Sequence, residues 1–162
     1  MMNKLCFEVV ELLKANNLTL SSCESITGGL FSYKVTSVSG VSKVFKGALC
    51  AYQNEIKKSI LGISSSLIDE FGVVSSQIAR EMSRKTKEIL KSDLSISFTG
   101  NAGPMALEGK EVGLVYISLS YDDKDETFEF HLSGDREQIR NNAVIEGFKI
   151  IKDKLGEIIK NR

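Results

Sequence analysis

Three residues of this chain have the types and the setting that nucleophilic catalysis needs: Ser25, Tyr52 and Lys57. Ser25 stands in Cys23-Glu24-Ser25-Ile26-Thr27-Gly28-Gly29, between a candidate strand and a candidate helix. Small residues there let backbone N–H groups approach a ligand, and a helix start favours negative charge. A hydroxyl in that field loses its proton more readily, and neighbouring amides can hold an oxyanion. The same local pattern also reads as Ser25 or Thr27 capping the helix. Lys57 lies in Tyr52-Gln53-Asn54-Glu55-Ile56-Lys57, where Tyr52 ends a strand and Lys57 falls in the first turn of the next helix. A cation at a helix N-terminus is in an unfavourable field. Partial burial would lower its pKa as well and bring the neutral amine within reach. The other local reading is a solvated lysine beside Lys58. A Ser–Lys pair is a known alternative to the Ser-His-Asp arrangement. The single histidine, His131, sits in a weak strand far along the chain, where a structural or exposed role fits better.

A second loop of the same kind is Phe98-Thr99-Gly100-Asn101-Ala102-Gly103-Pro104, again after a strand. It exposes Thr99 and backbone donors at Gly100, Ala102 and Gly103. Open α/β sheets bind ligands outside the carboxyl ends of their strands. Two such loops in one short domain can meet at one crevice and enclose a small polar ligand.

The elements that must position these residues follow from the hydrophobic pattern. Leu5, Val9, Leu12 and Leu13 have helical spacing, and Asn16-Asn17 ends that helix in a left-handed turn. Leu18 to Ser22 reads as a strand, then a helix follows Gly28-Gly29 and breaks at Gly40. Val44 to Tyr52 reads as a strand with Gly47 marking a bulge or close approach. Asn54 is placed to cap a helix from Glu55 to Leu61. Ser64 to Phe71 is a further helical piece closed by Gly72. Ser75 caps a longer helix with Ile78, Ala79, Met82 and Ile89 inward. Leu94 to Phe98 alternates with serines, as a strand does. Val112–Leu119 and Thr127–Leu132, joined by the polar Asp122-Asp123-Lys124-Asp125, suggest a hairpin. Asp135 and Gln138 form a capping-box pair at the head of the last helix. Val144, Phe148, Ile151, Leu155 and Ile158 give that helix one apolar stripe. Alternating helices and strands argue an α/β domain with helices on both faces of a mostly parallel sheet. The hairpin adds at least one antiparallel strand. One domain over residues 1–162 is the simplest organisation.

Composition removes several function classes. The chain has 162 residues, with 21 Lys and Arg against 21 Asp and Glu. Zero net charge gives no global attraction to nucleic acid or to an anionic membrane. No apolar run approaches the roughly 18 residues that span a bilayer. Lys4, Glu8 and Glu11 are spread through the first residues as in a helix, not a signal peptide. Cys6, Cys23 and Cys50 are odd in number and widely spaced, which fits neither a disulfide framework nor a zinc site. They read as small buried hydrophobes of a reduced, cytoplasmic chain.

Taken in order, these motifs resemble the C-terminal domain of the CinA family, whose stand-alone members are nicotinamide-nucleotide amidases. The matching pieces are Cys23 to Gly29, Phe45-Lys46-Gly47-Ala48 through Tyr52, Asn54 and Lys57, and Gly72-Val73-Val74-Ser75. They continue with Thr99 to Pro104, Lys110 to Tyr116 and Gly134-Asp135-Arg136-Glu137-Gln138-Ile139-Arg140. The resemblance implies a three-layer α/β/α sandwich around a mixed five-stranded sheet. It implies hydrolysis of the carboxamide of nicotinamide mononucleotide to nicotinate mononucleotide and ammonia. The family's nucleophile falls on Ser25, its tyrosine on Tyr52 and its lysine on Lys57. Its ligand-contacting threonine and arginine fall on Thr99 and Arg140, with Arg136 close by. With Thr27, Gly28, Gly29, Asn54, Gly100, Ala102 and Gly103, these make the expected substrate-binding set. No metal and no cofactor are expected. A nucleotide is the expected partner, and a homodimer is expected by analogy.

The sequence also departs from the family's pattern. Ile26 replaces a cysteine, Ala48 a glycine, Asn101 an apolar residue and Glu111 a proline. Met105-Ala106-Leu107 stands where further glycines are the rule. Those departures keep two other readings in view: a catalytically silent domain that binds a nucleotide or a protein, linked to DNA uptake or repair, and an amidase for another pyridine or sugar-linked carboxamide.

Overall fold

All five residues of β1 (Leu20–Glu24) and six of the seven in β3 (Leu94–Gly100) are buried, so these strands form the centre of the molecule. The computed structural model describes residues 1–161. Its single sheet runs β2-β1-β3-β4-β5, with β2 at Phe45–Cys50, β4 at Leu114–Tyr121 and β5 at Lys124–His131. β1 pairs in parallel with β2 and β3, while β3–β4 and β4–β5 are antiparallel. The expected hairpin is present with a two-residue turn, Asp122-Asp123, and Asp122 takes a positive φ of 48°. The expected bulge is present too. Leu20 pairs with Phe45 and Ser21 with Gly47, so Lys46 is the extra residue, and Gly47 adopts φ 146°. That value lies in a region that costs glycine little.

Helices cover both faces. α1 (Met2–Asn16), α2 (Leu30–Thr36) and α6 (Arg136–Lys160) pack on one side. Leu20, Leu94, Ile96, Phe98, Val115, Ile117 and Leu119 of the sheet meet them there. Phe31 of α2 lies between Phe148 of α6 and Phe98 of β3, with ring centroids 4.7 and 5.2 Å away. A buried aromatic of this kind contributes about 1.5–3 kcal/mol through the surface it removes from water. α4 (Ser65–Phe71) and α5 (Ser76–Leu90) lie on the other side, and α3 (Asn54–Ser59) precedes them.

The serines of β3 are the main surprise of the core. They alternate with apolar residues, yet Ser95, Ser97 and Thr99 are as buried as those neighbours. Their face meets α5, where Ser97 Oγ donates to Ala79 O at 2.5 Å. Ser83 of α5 hydrogen-bonds the hydroxyls of Ser118 and Ser120. Small polar residues on both sides bring helix and sheet together and pair several of their hydroxyls, while the Ser95 hydroxyl is buried with no partner among the described residues.

Other expectations need correction. β1 begins two residues later than Leu18, and β4 begins at Leu114, which leaves Val112 outside the sheet. Ile89 is half exposed, and Ser83 and Thr86 take the inward positions of α5. Cys6 and Cys23 are buried, but Cys50 is exposed on the edge strand. Burial pushes the Cys23 thiol up to about 12 and the Cys6 thiol up to about 11, so neither is a ready nucleophile. Gln53, not Asn54, is the N-cap of α3, and its side chain makes no capping bond. The signals that held are the left-handed Asn17, the Ser75 cap and the Asp135–Gln138 capping box; Ser64, read as the first residue of its helix, is instead the N-cap of α4. No helix among the described residues is long and apolar enough to cross a membrane.

Candidate active site

In the sheet order the chain leaves β1 first toward β2 and then returns past it to β3. The crevice at the carboxyl ends of β1 and β3 is therefore the switch point where open sheets hold ligands. Both glycine-containing loops end there. A cavity of about 740 Å³ opens between them, lined by Ser25, Ile26, Tyr52, Asn54, Lys57, Val73, Val74, residues 99–108 and Arg136.

Ser25 follows β1 directly, and its amide donates to Phe98 O on the neighbouring β3. It does not sit at the N-terminus of α2, which starts at Leu30 behind the Gly29 cap. The buried Glu24 occupies that N-terminus instead. Its carboxylate accepts from the amides of Gly29 (3.2 Å), Phe31 (2.9 Å) and Ser32 (3.1 Å). A carboxylate there satisfies orphan amides and complements the helix dipole. Gly28 N donates to Ser25 O, and Gly29 takes φ 100°. The loop's amides are thus largely committed. Only those of Ile26 and Thr27 donate to nothing among the described residues.

Lys57 comes from α3 and is only 1% exposed. Its Nζ lies 3.1 Å from Ser25 Oγ, 2.8 Å from Ala51 O and 3.2 Å from Tyr52 O. No carboxylate among the described residues is within ion-pair distance of it. Burial holds its pKa below the ordinary lysine value, while nearby Cys23, Cys50 and Glu108 act in the opposite sense. Burial is thus the leading cause of that shift.

Tyr52 joins this group by its carbonyl, not by its phenol. It lies past the end of β2, and its ring is 57% exposed. The phenol oxygen accepts from Arg136 Nη2 at 3.2 Å. Arg136 Nη1 reaches Gly103 O at 2.6 Å, so one guanidinium bridges the two sides of the cavity. It has no carboxylate partner among the described residues.

Several residues expected to contact substrate do not line the cavity: Thr27, Gly28, Gly29 and Arg140. Arg140 lies beneath the serine loop, with Nε on Ile26 O at 3.0 Å and Nη2 on Thr27 O at 2.9 Å. It clamps the backbone that follows Ser25. Thr27 is fully buried, and its hydroxyl has no partner among the described residues. Thr99, Gly100, Ala102, Gly103 and Asn54 do line the cavity. The Thr99 hydroxyl is already donated to Val73 O at 2.6 Å.

The loop after β3 is held by side chains to which the sequence reading gave no such role. Asn101, buried, donates to Lys110 O and accepts from Gly103 N. The Glu108 carboxylate accepts from the amides of Val73 (2.8 Å) and Val74 (3.2 Å). Lys110 Nζ reaches Phe71 O at 3.0 Å and also Val74 O. The Gly103–Pro104 bond is cis. The Glu-Gly-Lys turn at 108–110 was the available signal, because a glycine between opposite charges marks a tight turn. His131 lies outside this site, exposed between Glu111 and Glu129.

The site therefore sets a lysine amine against a serine hydroxyl at the switch point of a mixed sheet. The model of the CinA C-terminal domain family matches residues 2–155. The chain belongs to this family. It is 45% identical over 153 residues to a competence-damage inducible protein of Bacillus mycoides and 44% identical to one of Bacillus cereus. Each match covers 94% of this chain but 37% of the relative. The chain therefore spans little more than a third of those relatives. Among solved structures, a CinA superfamily protein of Enterobacter cloacae superposes with TM-score 0.93 at 28% identity, covering 96% of this chain and 92% of that one. One from Klebsiella pneumoniae gives 0.94 at 23% identity, covering 97% and 99%, and so shares the fold.

Proposed function

We propose that this CinA-family domain hydrolyses a carboxamide, that of nicotinamide mononucleotide, to the acid and ammonia. The observation that carries the reading is the buried Lys57 amine 3.1 Å from the Ser25 hydroxyl. Lys57, uncharged, takes the Ser25 proton as the oxygen attacks the amide carbon. The proton passes to the departing nitrogen, which leaves as ammonia. Water then attacks the acyl ester with Lys57 again as base, and Ser25 recovers its proton. The transfer runs directly between Lys57 and Ser25, since the Tyr52 phenol is turned to Arg136. The amide of Ile26, beside the nucleophile and unbonded, is the oxyanion donor the loop leaves open. Removing one such donor costs about 3–4 kcal/mol of transition-state stabilisation.

Arg136 supports an anionic group on the substrate. Lys57 is the neutral base, and Glu108 is paired with Lys110 at 3.5 Å, so Arg136 supplies the uncompensated charge of the wall. A phosphate binds well to a guanidinium fork.

The test is ammonia release from nicotinamide mononucleotide by the wild type and by Ser25→Ala. Release by the wild type that is lost in the variant supports the reading. Saturable binding without release would replace it with a silent nucleotide-binding domain.

A further inference from the structure

The Lys57 side chain folds back past the start of its own helix. Its Nζ meets the carbonyls of Ala51 at 2.8 Å and of Tyr52 at 3.2 Å, two residues of the segment that runs from β2 into α3. Neither carbonyl accepts from any other group among the described residues. The segment is fixed at both ends. Ala51 is buried, and its amide donates to Glu24 O at 2.9 Å, beside Ser25. Gln53 O accepts from the amides of Ile56 at 3.1 Å and Lys57 at 3.2 Å.

Bonding capacity decides how the amine is turned. A carbonyl oxygen can only accept. An uncharged amine has two hydrogens and one lone pair. The two carbonyls take both hydrogens, so the lone pair falls to the third neighbour, Ser25 Oγ at 3.1 Å. That hydroxyl is the one partner of the three able to donate. The protonated form fits as well. An ammonium has three hydrogens, and the same three oxygens receive them. Lys57 can therefore take up and release a proton with no rotation of its own, as a preorganised site requires.

In a Ser-His-Asp site a buried carboxylate orients the base and steadies the cation that forms. No carboxylate is bonded to Lys57 among the described residues. Cys23, Cys50 and Glu108 are the titratable groups close enough to act on it, and its hydrogen bonds go to none of them. A carboxylate in contact would strongly favour the ammonium and withdraw the lone pair. Two neutral carbonyl dipoles orient the amine with a weaker effect of that kind.

Resting on the hydrolytic reading above, we propose that the main-chain carbonyls of Ala51 and Tyr52 are the orienting member of the site: they fix the hydrogens of Lys57, aim its lone pair at Ser25 and hold the ammonium once the serine proton has moved. The bond that breaks is Ser25 O–H and the bond that forms is Lys57 N–H, and the same proton later leaves on the departing nitrogen. Ala51 and Tyr52 are thus positioning residues that act through their backbone.

Peptide-to-ester exchange tests this one acceptor at a time. Replacing Tyr52 by its α-hydroxy acid turns the Ala51 carbonyl into an ester carbonyl, a weaker acceptor. The same exchange at Gln53 weakens the Tyr52 carbonyl. The amides lost, those of Tyr52 and Gln53, donate to nothing among the described residues, so the other hydrogen bonds of the fold are spared. Two quantities are read: the midpoint of the Lys57 side-chain nitrogen by NMR, and kcat/KM for ammonia release from nicotinamide mononucleotide across pH. The acid limb of the second reports the base of the free enzyme. A charged donor loses more than a neutral one when its acceptor weakens. Each exchange should therefore lower the midpoint by about one pH unit, and the acid limb should move with it. The plateau above the limb should fall about tenfold as the lone pair loses its aim. Unmoved midpoints in both ester proteins would overturn the proposal, and with ammonia release intact they would leave the hydrolytic reading standing. A fall in kcat/KM with midpoint and acid limb unmoved would overturn it too, because the carbonyls would then only shape the loop. Midpoints that fall in a protein that releases no ammonia would support the carbonyl pair as the holder of the amine and remove the hydrolysis.

Discussion

The loop after β1 and the loop after β3 meet at one cavity but are fixed by different means. The first is held from within. Glu24 seals the start of α2, Arg140 holds the carbonyls of Ile26 and Thr27, and Ser25 N is tied to β3. The groups that hold it are buried or partly so, and they leave Ser25 one setting. The second is tied internally by Asn101 and strapped to other segments by Glu108 and Lys110, which reach residues 71–74, and by Arg136 of α6. Those ties fix its base and leave the Met105 tip free. The comparison teaches where each kind of change is tolerated. On the function proposed above, the loop buried against the sheet carries the reacting hydroxyl, and the loop strapped on by side chains carries the groups that meet the rest of the ligand.

The strongest way to break this division is Lys57→Met. Turnover should fall by about a thousandfold, within the usual range for losing a general base. The fold should persist, because methionine fills a similar apolar volume. Stability should hold or rise near neutral pH. The sign follows from linkage: the folded pKa of Lys57 lies below its unfolded value, so between the two the unfolded chain binds more protons. Stability of the wild type therefore rises with pH through that window, and the variant lacks this rise. Denaturation at several pH values, beside the ammonia assay, checks both halves. A variant that keeps turnover removes Lys57 from the mechanism.

A smaller effect should come from Glu24→Gln. One amide oxygen can replace part of the cap, but the charge and one acceptor are lost. A loss of about 1–3 kcal/mol is expected from an unsatisfied buried donor. Urea unfolding measures it, and kcat should fall with it as the Ser25 loop relaxes. An unchanged midpoint would mean that α2 does not depend on its cap.

The smallest effect should come from Glu108→Gln, in the strapped loop. The ion pair with Lys110 is partly exposed and contributes little, roughly 0–1 kcal/mol. KM should rise while kcat stays within about twofold, as expected when an interaction made equally in ground and transition state is removed. An equal fall in kcat would place this loop among the reacting groups and erase the contrast.

Local signals in the sequence were reliable at several positions where one residue acts on its own backbone. Gly47 at the bulge, Asn17 in its left-handed turn and the Asp135–Gln138 box are examples. The order of the motifs gave the family. What was not legible depends on contacts between distant segments. Alternation in Leu94–Phe98 cannot tell a half-wet strand from a central strand facing a serine-lined helix. The Glu24 carboxylate is indistinguishable in sequence from a surface acid until α2 folds back over it. Asn54 looked like a cap, yet the chain enters α3 one residue earlier. Arg136 and Arg140 are one helical turn apart and alike in sequence. Only the packing of α6 puts one in the cavity and the other under the serine loop.

The central claim is that Lys57 is an uncharged amine when it meets Ser25. NMR titration of the Lys57 side-chain nitrogen, in protein selectively labelled and assigned through Lys57→Met, measures this without any substrate. The account predicts a midpoint below the ordinary lysine value of 10.5. A midpoint at or above that value would contradict it, since the nitrogen would then be an ammonium at working pH with no lone pair to receive the serine proton.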